Sequence, residues 1–362
     1  MDKEAAVAID IYDGHVPSFI EDELEQLYGA RYACVEYFRV YQGLDGVCAY
    51  RVACGGKPQV ILLYQYRHHT LWVLNQAIRI DAAQLQRFAE RMFARHPQVR
   101  RIDFHSIDAD AGSLPWPKQC LITREDTVAA LPATVDDYLA SLGKSTRHNL
   151  RRYRERLLRD HPEFELRVVP REQIDGEHLR VLQQLNRERL DNKGRSSTID
   201  EAEMYRLRQL SARYGLVTLA CIGDKVVGGM LCFMIGKGIT FRIIAHDPAC
   251  DDYSLGFLIY FMTICEAIRQ GCTQMNFGWD YYPYKLRLGG QRRRLAMLTL
   301  YRSRLAYAMD ASSLLARQAS RLKRDVVAAL REAAASGSPH ARFMQALAGN
   351  ARRLLHGSAQ QS

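Results

Sequence analysis

Apolar and polar positions along this chain fall into two periods. In the first third, segments at 32–41, 46–54, 60–66 and 71–75 are alternating or continuously apolar. A strand, which shows successive side chains to opposite faces, reads this way. Asp81 then precedes a stretch to His96 with apolar residues at helical spacing, which predicts an N-capped amphipathic helix. Strands are expected again at 101–107 and 120–124.

The order recurs in the second half. Leu131-Pro132-Ala133-Thr134 makes a short break, Thr134 or Asp136 caps a helix to about Leu142, and Gly143 punctuates before a basic helix beginning near Ser145. A strand follows at 164–169, then helical patterns at 178–190 and 200–214 around the polar loop 191–197. Next comes an antiparallel meander. Gly223-Asp224 is a two-residue hairpin signal between strands at 218–222 and 225–235, and Gly236-Lys237-Gly238 leads into a third at 239–245. Gly228-Gly229 inside the middle strand predicts a bulge or a close backbone approach.

Beyond this meander the turn residues Asp247, Pro248, Asp251 and Asp252 end the strand, and Tyr253-Ser254-Leu255-Gly256 opens a helix with Ser254 as N-cap. Leu258, Ile259, Met262, Cys265 and Ile268 recur at helical spacing, and Gly271 supplies the C′ stop. A strand at 274–277 ends at Gly278, which releases the chain into Trp279-Asp280-Tyr281-Tyr282-Pro283-Tyr284-Lys285. A helix that starts at a strand end turns unpaired N–H groups and a positive dipole end outward, a setting that suits a pyrophosphate. The cluster after Gly278 puts a carboxylate, phenols and an ammonium beyond a second strand end; it reads as a functional loop or as a buried aromatic brace.

Composition narrows the classes. A chain of 362 residues with 48% hydrophobic and 25% charged residues has room for two domains and extra material. No apolar run reaches membrane-spanning length, and the acidic start lacks the layout of a signal peptide, so a cytoplasmic location is expected. Nine cysteines without a C-x-x-C pair indicate neither a disulfide framework nor a zinc site, and no metal is expected. Cys250 reads as an incidental loop cysteine or a reactive thiol; His68, His69 and His105 lack partners at ligand spacing.

The net charge of +10 is unevenly spread. The helix at 144–160 has seven basic residues against two acidic ones, and 302–353 has ten against three. Arg147, Arg151 and Arg152 lie within two helical turns, where they could serve an anionic acceptor or form a solvated face. After a strand at 295–301, the tail from 304 to 355 is helical by composition, broken at Ser336-Gly337-Ser338-Pro339, and reads as a packed appendage or a membrane-surface element.

Taken together, His246-Asp247-Pro248, Tyr253-Ser254-Leu255-Gly256, Phe277-Gly278, Asp280, Tyr284-Lys285, Leu288-Gly289 and the basic run 144–152 resemble the acetyltransferase domain of the GNAT superfamily in CelD-like, cellulose-biosynthesis (BioF2-like) proteins, a family related to the FemAB peptidyltransferases. The resemblance covers about 135–302. It implies an α/β (α+β) GNAT-like acyl-CoA N-acyltransferase fold: a degenerate GNAT-like lobe at 1–134, the acetyltransferase domain at 135–302 and a basic helical tail at 303–362. It also implies that backbone amides around Ile244 and Ala245 face an acyl thioester and that Tyr253, Ser254, Leu255, Gly256 and Phe257 cradle its pyrophosphate.

The catalytic candidates are Asp280 and then His246 as base, Tyr284 among the phenols as proton donor, and Lys285, taken as exposed and charged, for neutralising phosphate. Arg147, Arg151, Arg152, Trp279, Tyr281 and Tyr282 are acceptor candidates. The leading reading is acyl transfer from acetyl-CoA or another acyl-CoA to an amino-bearing acceptor, such as an amino sugar or glycan or envelope precursor. A hydroxyl acceptor, a Fem-type aminoacyl-tRNA-dependent transferase and a noncatalytic adaptor on polyanions or an anionic membrane surface are the alternatives; no DNA partner is expected.

Overall fold

The computed structural model describes residues 7–192, 194, 196–279 and 282–310. The N-terminal half comprises β1 (Val7–Tyr12), α1 (Ser18–Tyr28), a 3-10 turn at Arg31–Ala33, α2 (Val35–Tyr41), β2 (Cys48–Cys54), β3 (Lys57–Arg67), β4 (Thr70–Val73), β5 (Arg79–Ile80), α3 (Ala82–Arg95), β6 (Arg101–Ala109) and β7 (Lys118–Ala130). After it come α4 (Val135–Ser141), α5 (Lys144–Asp160), β8 (Phe164–Val169), α6 (Gly176–Asp191), α7 (Glu201–Tyr214), β9 (Gly215–Ile222), β10 (Lys225–Ile235), β11 (Gly238–His246), a 3-10 turn at Pro248–Tyr253, α8 (Leu255–Arg269), β12 (Gln274–Trp279), α9 (Pro283–Arg287), β13 (Gln291–Tyr301) and α10 (Arg304–Met309).

All of these strands join one mixed sheet in the order β1-β2-β3-β4-β6-β13-β7-β12-β11-β10-β9-β8, with β5 pairing β6 beside this path. Each half contains antiparallel hairpins followed by a parallel crossover through a helix, β4–α3–β6 in one and β11–α8–β12 in the other. The last strands are exchanged. β13 pairs β6 of the N-terminal half, β7 pairs β12 of the C-terminal half, and β7 and β13 pair each other along ten residues from Gln291↔Val128 to Leu300↔Lys118.

Helices cover both faces. In the N-terminal half Leu85, Phe88 and Met92 of α3 fill one face, and Ile20, Leu24 and Phe38 of α1 and α2 fill the other. In the C-terminal half Leu258, Ile259 and Ile264 of α8 pack on one face, and Leu179, Leu182, Leu207 and Leu210 of α6 and α7 on the opposite face. Cys34, Tyr37 and Tyr41 join this last cluster, so the segment 31–41 bridges the two halves.

That segment corrects the sequence pattern. The stretch 32–41 is not a strand but the end of a 3-10 turn followed by α2. Its apolar residues alternate locally, yet Val35 and Phe38 also stand three apart and bury together on a helical face, and tertiary contacts decide between the periods. β1 and α1 were not anticipated. Two caps act as expected, Asp81 accepting from Gln84 N and Thr134 from Asp137 N, and Asp200, read as the first helical residue, instead caps α7 by accepting from Glu203 N. The β9–β10 register shifts between Val226 and Gly228, and a Cβ on Gly228 would stand 2.8 Å from Ile259 and 3.0 Å from the His246 Cβ.

Candidate active site

The site begins where two parallel strands part. β11 and β12 pair only at Gly238–Thr240 with Gln274–Asn276. From Phe241 to His246, β11 has β10 on one edge and, among the described residues, no strand on the other, so its backbone groups there face a wedge. The bulge between Leu231 and Cys232 of β10 leaves Arg242 of β11 as an extra residue at the apex. Such an edge can take an extended ligand by strand-like hydrogen bonds.

The N-terminus of α8 lies at the open end of the wedge. Ser254 has left-handed backbone (φ 51°) and makes no side-chain cap, contrary to the expected Ser254 N-cap. Its carbonyl accepts from Phe257 N (2.9 Å) and Leu258 N (3.2 Å), so the amides of Leu255 and Gly256 precede the first intrahelical bond. Tyr253 belongs to the preceding 3-10 turn, and Leu255 is fully buried.

Cations gather around this turn. The Tyr153 phenol is pulled below its usual value by a hydrogen bond with Ser254, and further by Arg152 and the charge of Arg287. The Arg287 guanidinium lies 5.0 Å from the Phe257 ring centre, and Arg156 donates to the Asp252 carbonyl at 3.3 Å. Arg152, assigned from sequence to the acceptor, is thus beside the α8 terminus.

His246 and Ala245 close β11. The His246 ring is 2.7 Å from Asp251 through Nε2, and a Cβ on Gly256 would come within 3.1 Å of that ring, so His246 lies near the helix terminus rather than the apex. Ala245 is fully buried opposite Gly229, and Ile244 is partly buried opposite Met230.

Aromatic rings line the apex. Tyr260 of α8 packs on Phe241 (5.3 Å), Phe277 (5.8 Å) and Tyr284 (5.2 Å), and the Tyr284 hydroxyl donates to the Tyr260 hydroxyl at 3.2 Å. Burial raises both phenols above the usual tyrosine range, so both keep their protons at neutral pH. Tyr282 is exposed and stacks with Tyr284 at 5.9 Å.

Two expectations are corrected here. Lys285 is not exposed; only 2% of it is accessible, and its ammonium donates to the carbonyls of Trp279 (2.8 Å) and Gly278 (3.4 Å), holding the end of β12. Arg147 does not reach outward; its guanidinium donates to Ala140 O (3.0 Å) and Leu142 O (2.6 Å), closing the C-terminus of α4. Arg151 is exposed and pairs with Glu155 at 2.7 Å. Cys250 is buried and its thiol is raised by burial, which suppresses the thiolate a reactive cysteine needs. Asp280 and Tyr281 lie outside the described residues, as does the tail beyond residue 310.

On the opposite side of the apex, Trp279 stood among the sequence candidates and the groups around it did not. Glu203 of α7, buried, accepts from the Tyr41 hydroxyl (2.7 Å) and binds Arg242 of the bulge, with Arg206 at 3.6 Å. Trp279 stacks on Tyr32 at 5.0 Å and donates to its hydroxyl at 3.0 Å, and Arg124 of β7 lies 4.9 Å from the Trp279 ring centre. These groups come from separate elements, so no local spacing announces them.

Residues 144–286 match the family model described as an acetyltransferase (GNAT) domain. Such a domain implies an acyltransferase. It also implies an acyl-CoA co-substrate. The crystal structure of FemX matches with a TM-score of 0.55 at 11% identity, over 82% of this chain and 99% of that one. A conserved protein of unknown function from Bacteroides thetaiotaomicron VPI-5482 matches with a TM-score of 0.53 at 12% identity, over 81% and 100%. At these identities the likeness is one of fold, a mixed α/β GNAT-like fold built on a large mixed sheet. No curated protein matches the sequence. Among the described residues no helix is long and apolar enough to cross a membrane.

Proposed function

We propose that the chain is an acyl-CoA-dependent N-acyltransferase whose C-terminal half binds the donor and whose N-terminal half is a GNAT-like lobe that has lost that role. The observation that carries this reading is the contrast between the two crossover helices. α3 begins with the Asp81 carboxylate on its N-terminal amide (2.8 Å), which fills the place of an anion. α8 begins with no side-chain cap and is flanked by Arg152 and Arg287. A diphosphate fits the second terminus and is repelled from the first.

From that terminus an extended arm laid along the free edge of β11 reaches Arg242 and Phe241 after roughly 15 Å, at about 3.3 Å per residue. The reacting end then lies at the apex, beside Tyr284 and Tyr260 and across from Glu203 and Arg242. The bound thioester supplies an activated carbonyl. As the amine nitrogen forms its bond to that carbon and the C–S bond breaks, Tyr284 protonates the departing sulfur, and backbone amides of β11 stabilise charge on the oxygen. Asp280, one residue past β12, takes the amine proton in this scheme, and His246, near the diphosphate end, positions the donor. The acceptor carries an amine; an amino sugar or glycan precursor is the class that the sequence resemblance suggests.

Calorimetry with acetyl-CoA and longer acyl-CoAs tests the reading. Binding should be lost in Gly256→Asp and weakened about tenfold in a combined Arg152→Gln and Arg287→Gln variant, whereas Asp280→Asn should keep donor affinity and lose turnover. No binding of any acyl-CoA at millimolar concentration would sink the proposal and promote transfer from aminoacyl-tRNA instead.

A further inference from the structure

One arrangement plays no part in holding the donor. Arg31, Tyr32, Trp279 and Arg124 are joined by successive contacts: the Arg31 guanidinium lies 4.5 Å from the Tyr32 ring centre, Tyr32 stacks on Trp279 at 5.0 Å and 29°, and the Arg124 guanidinium lies 4.9 Å from the Trp279 ring centre. Three chain segments far apart in sequence supply them: the 3-10 turn at Arg31–Ala33, β7 and the end of β12.

The charge of this stack is uncompensated. Arg31 Nε and Nη1 are buried with no hydrogen-bond partner, and neither Arg31 nor Arg124 has a carboxylate partner among the described residues. Nearby carboxylates are committed elsewhere: Glu203 to Arg242 and Arg206, Asp126 to Arg293, and Glu125 to Arg292 and Arg294. Burying a guanidinium without a counter-charge is costly, and cation–π contact with Tyr32 and Tyr37 returns only part of that cost. A fold that needed only packing here would be served better by an apolar side chain.

The donors also converge. Arg31 Nη2 and Trp279 Nε1 both donate to the Tyr32 hydroxyl oxygen, the second at 3.0 Å. A neutral phenol oxygen thus occupies the point where two N–H groups meet. An anionic oxygen would bind both more strongly, since charge-assisted hydrogen bonds are about twice as strong as neutral ones. Trp279 lies three residues beyond the last β11–β12 pair, roughly 10 Å along β12 from the apex.

We infer that this stack is the acceptor subsite, and that the acceptor carries an oxyanion, a phosphate or a carboxylate, which displaces the Tyr32 hydroxyl and is held by Arg31 and the Trp279 N–H, while Arg124 keeps the Trp279 ring in place. The inference rests on the acyltransferase reading for the word acceptor, but the binding of the anion does not. Tyr32 and Trp279 supply flat faces for the part of the acceptor next to the anion, and the amine reaches the apex from there.

Calorimetric titration of the full chain with inorganic phosphate, pyrophosphate and glutarate, with and without saturating acetyl-CoA, tests the proposal. Wild type should bind phosphate-type or carboxylate-type probes, and which of the two binds identifies the source of the oxyanion. Arg31→Gln should weaken that binding tenfold or more, with acetyl-CoA affinity unchanged and Arg180→Gln, on an exposed face of α6, without effect. Tyr32→Phe should tighten it severalfold, because the competing phenol oxygen is gone while the ring stack remains. Arg31→Gln should melt no lower than wild type without ligand. Equal probe affinity in all variants, or no probe binding while acetyl-CoA still binds, would overturn the inference; loss of acetyl-CoA binding in wild type would instead strike the functional reading.

Discussion

Lys285 and Tyr284 are neighbours in sequence and part in role. The Lys285 ammonium fastens the carbonyls of Gly278 and Trp279, so Lys285→Met should leave both without that donor and cost about 1–3 kcal/mol, seen as a lower urea midpoint with little change in kcat for the protein that remains folded. Tyr284→Phe should keep the fold and lose about a hundredfold or more in kcat. The pH profile separates the two further. Burial raises the Tyr284 phenol above the usual tyrosine range, so a reaction that draws its proton from Tyr284 keeps its acid form through neutral pH and fails only on an alkaline limb beyond that of an ordinary tyrosine. That alkaline limb should vanish in Tyr284→Phe; a limb that persists would assign the proton to another group. These two roles were indistinguishable in the run Pro283-Tyr284-Lys285, because burial of the lysine follows from how α9 folds back under β12.

Among the elements, the contact between α1 and the β10–β11 turn brings the halves into close backbone approach. α1 ends at Gly29 in left-handed conformation (φ 53°), and a Cβ on Gly238 would collide with the Gly29 carbonyl. Nearby, Arg213 of α7 binds Glu21 (2.9 Å) and Glu25 (3.0 Å) of α1. Gly238→Ala should therefore cost about 1–3 kcal/mol or more, since the obstacle is backbone and cannot swing aside. Gly143→Ala, with open space around its Cβ, should change the melting temperature little. An equal effect of the two substitutions would show that the approach of α1 to β11 is not close in solution. The sequence marked Gly238 as a turn residue, but nothing local showed that its lack of a side chain admits a helix end from two hundred residues away.

For the molecule as a whole, the exchange of β7 and β13 makes the two halves interdependent. Separated between residues 134 and 135, the N-terminal fragment would expose both edges of β7 and the open edge of β6, and the C-terminal fragment would expose β13 and the edge of β12. Each fragment expressed alone should aggregate, whereas the two co-expressed should assemble into a soluble complex that binds acyl-CoA, read by size-exclusion chromatography and calorimetry. A C-terminal fragment that is monomeric, folded and able to bind donor by itself would show that β7 is dispensable to the wedge.

The sequence by itself determined most of the elements and the order in which they follow, because hydrophobic period, caps and glycine turns are local. Asp81 and Thr134 stand before their helices as expected, and the meander from β9 to β11 follows its turns. It also placed the helix of the proposed donor site, since a strand end, a glycine and an apolar helix lie consecutively in the chain. Only the tertiary structure decided which cations surround that helix, that 31–41 is helical, that Lys285 and Arg147 hold backbone carbonyls, and that Arg31, Tyr32, Trp279 and Arg124 form one stack. Those facts depend on long-range pairing: β7 and β13 bring the halves into a single sheet, and side chains separated by up to 247 positions become neighbours through that pairing rather than through any spacing along the chain.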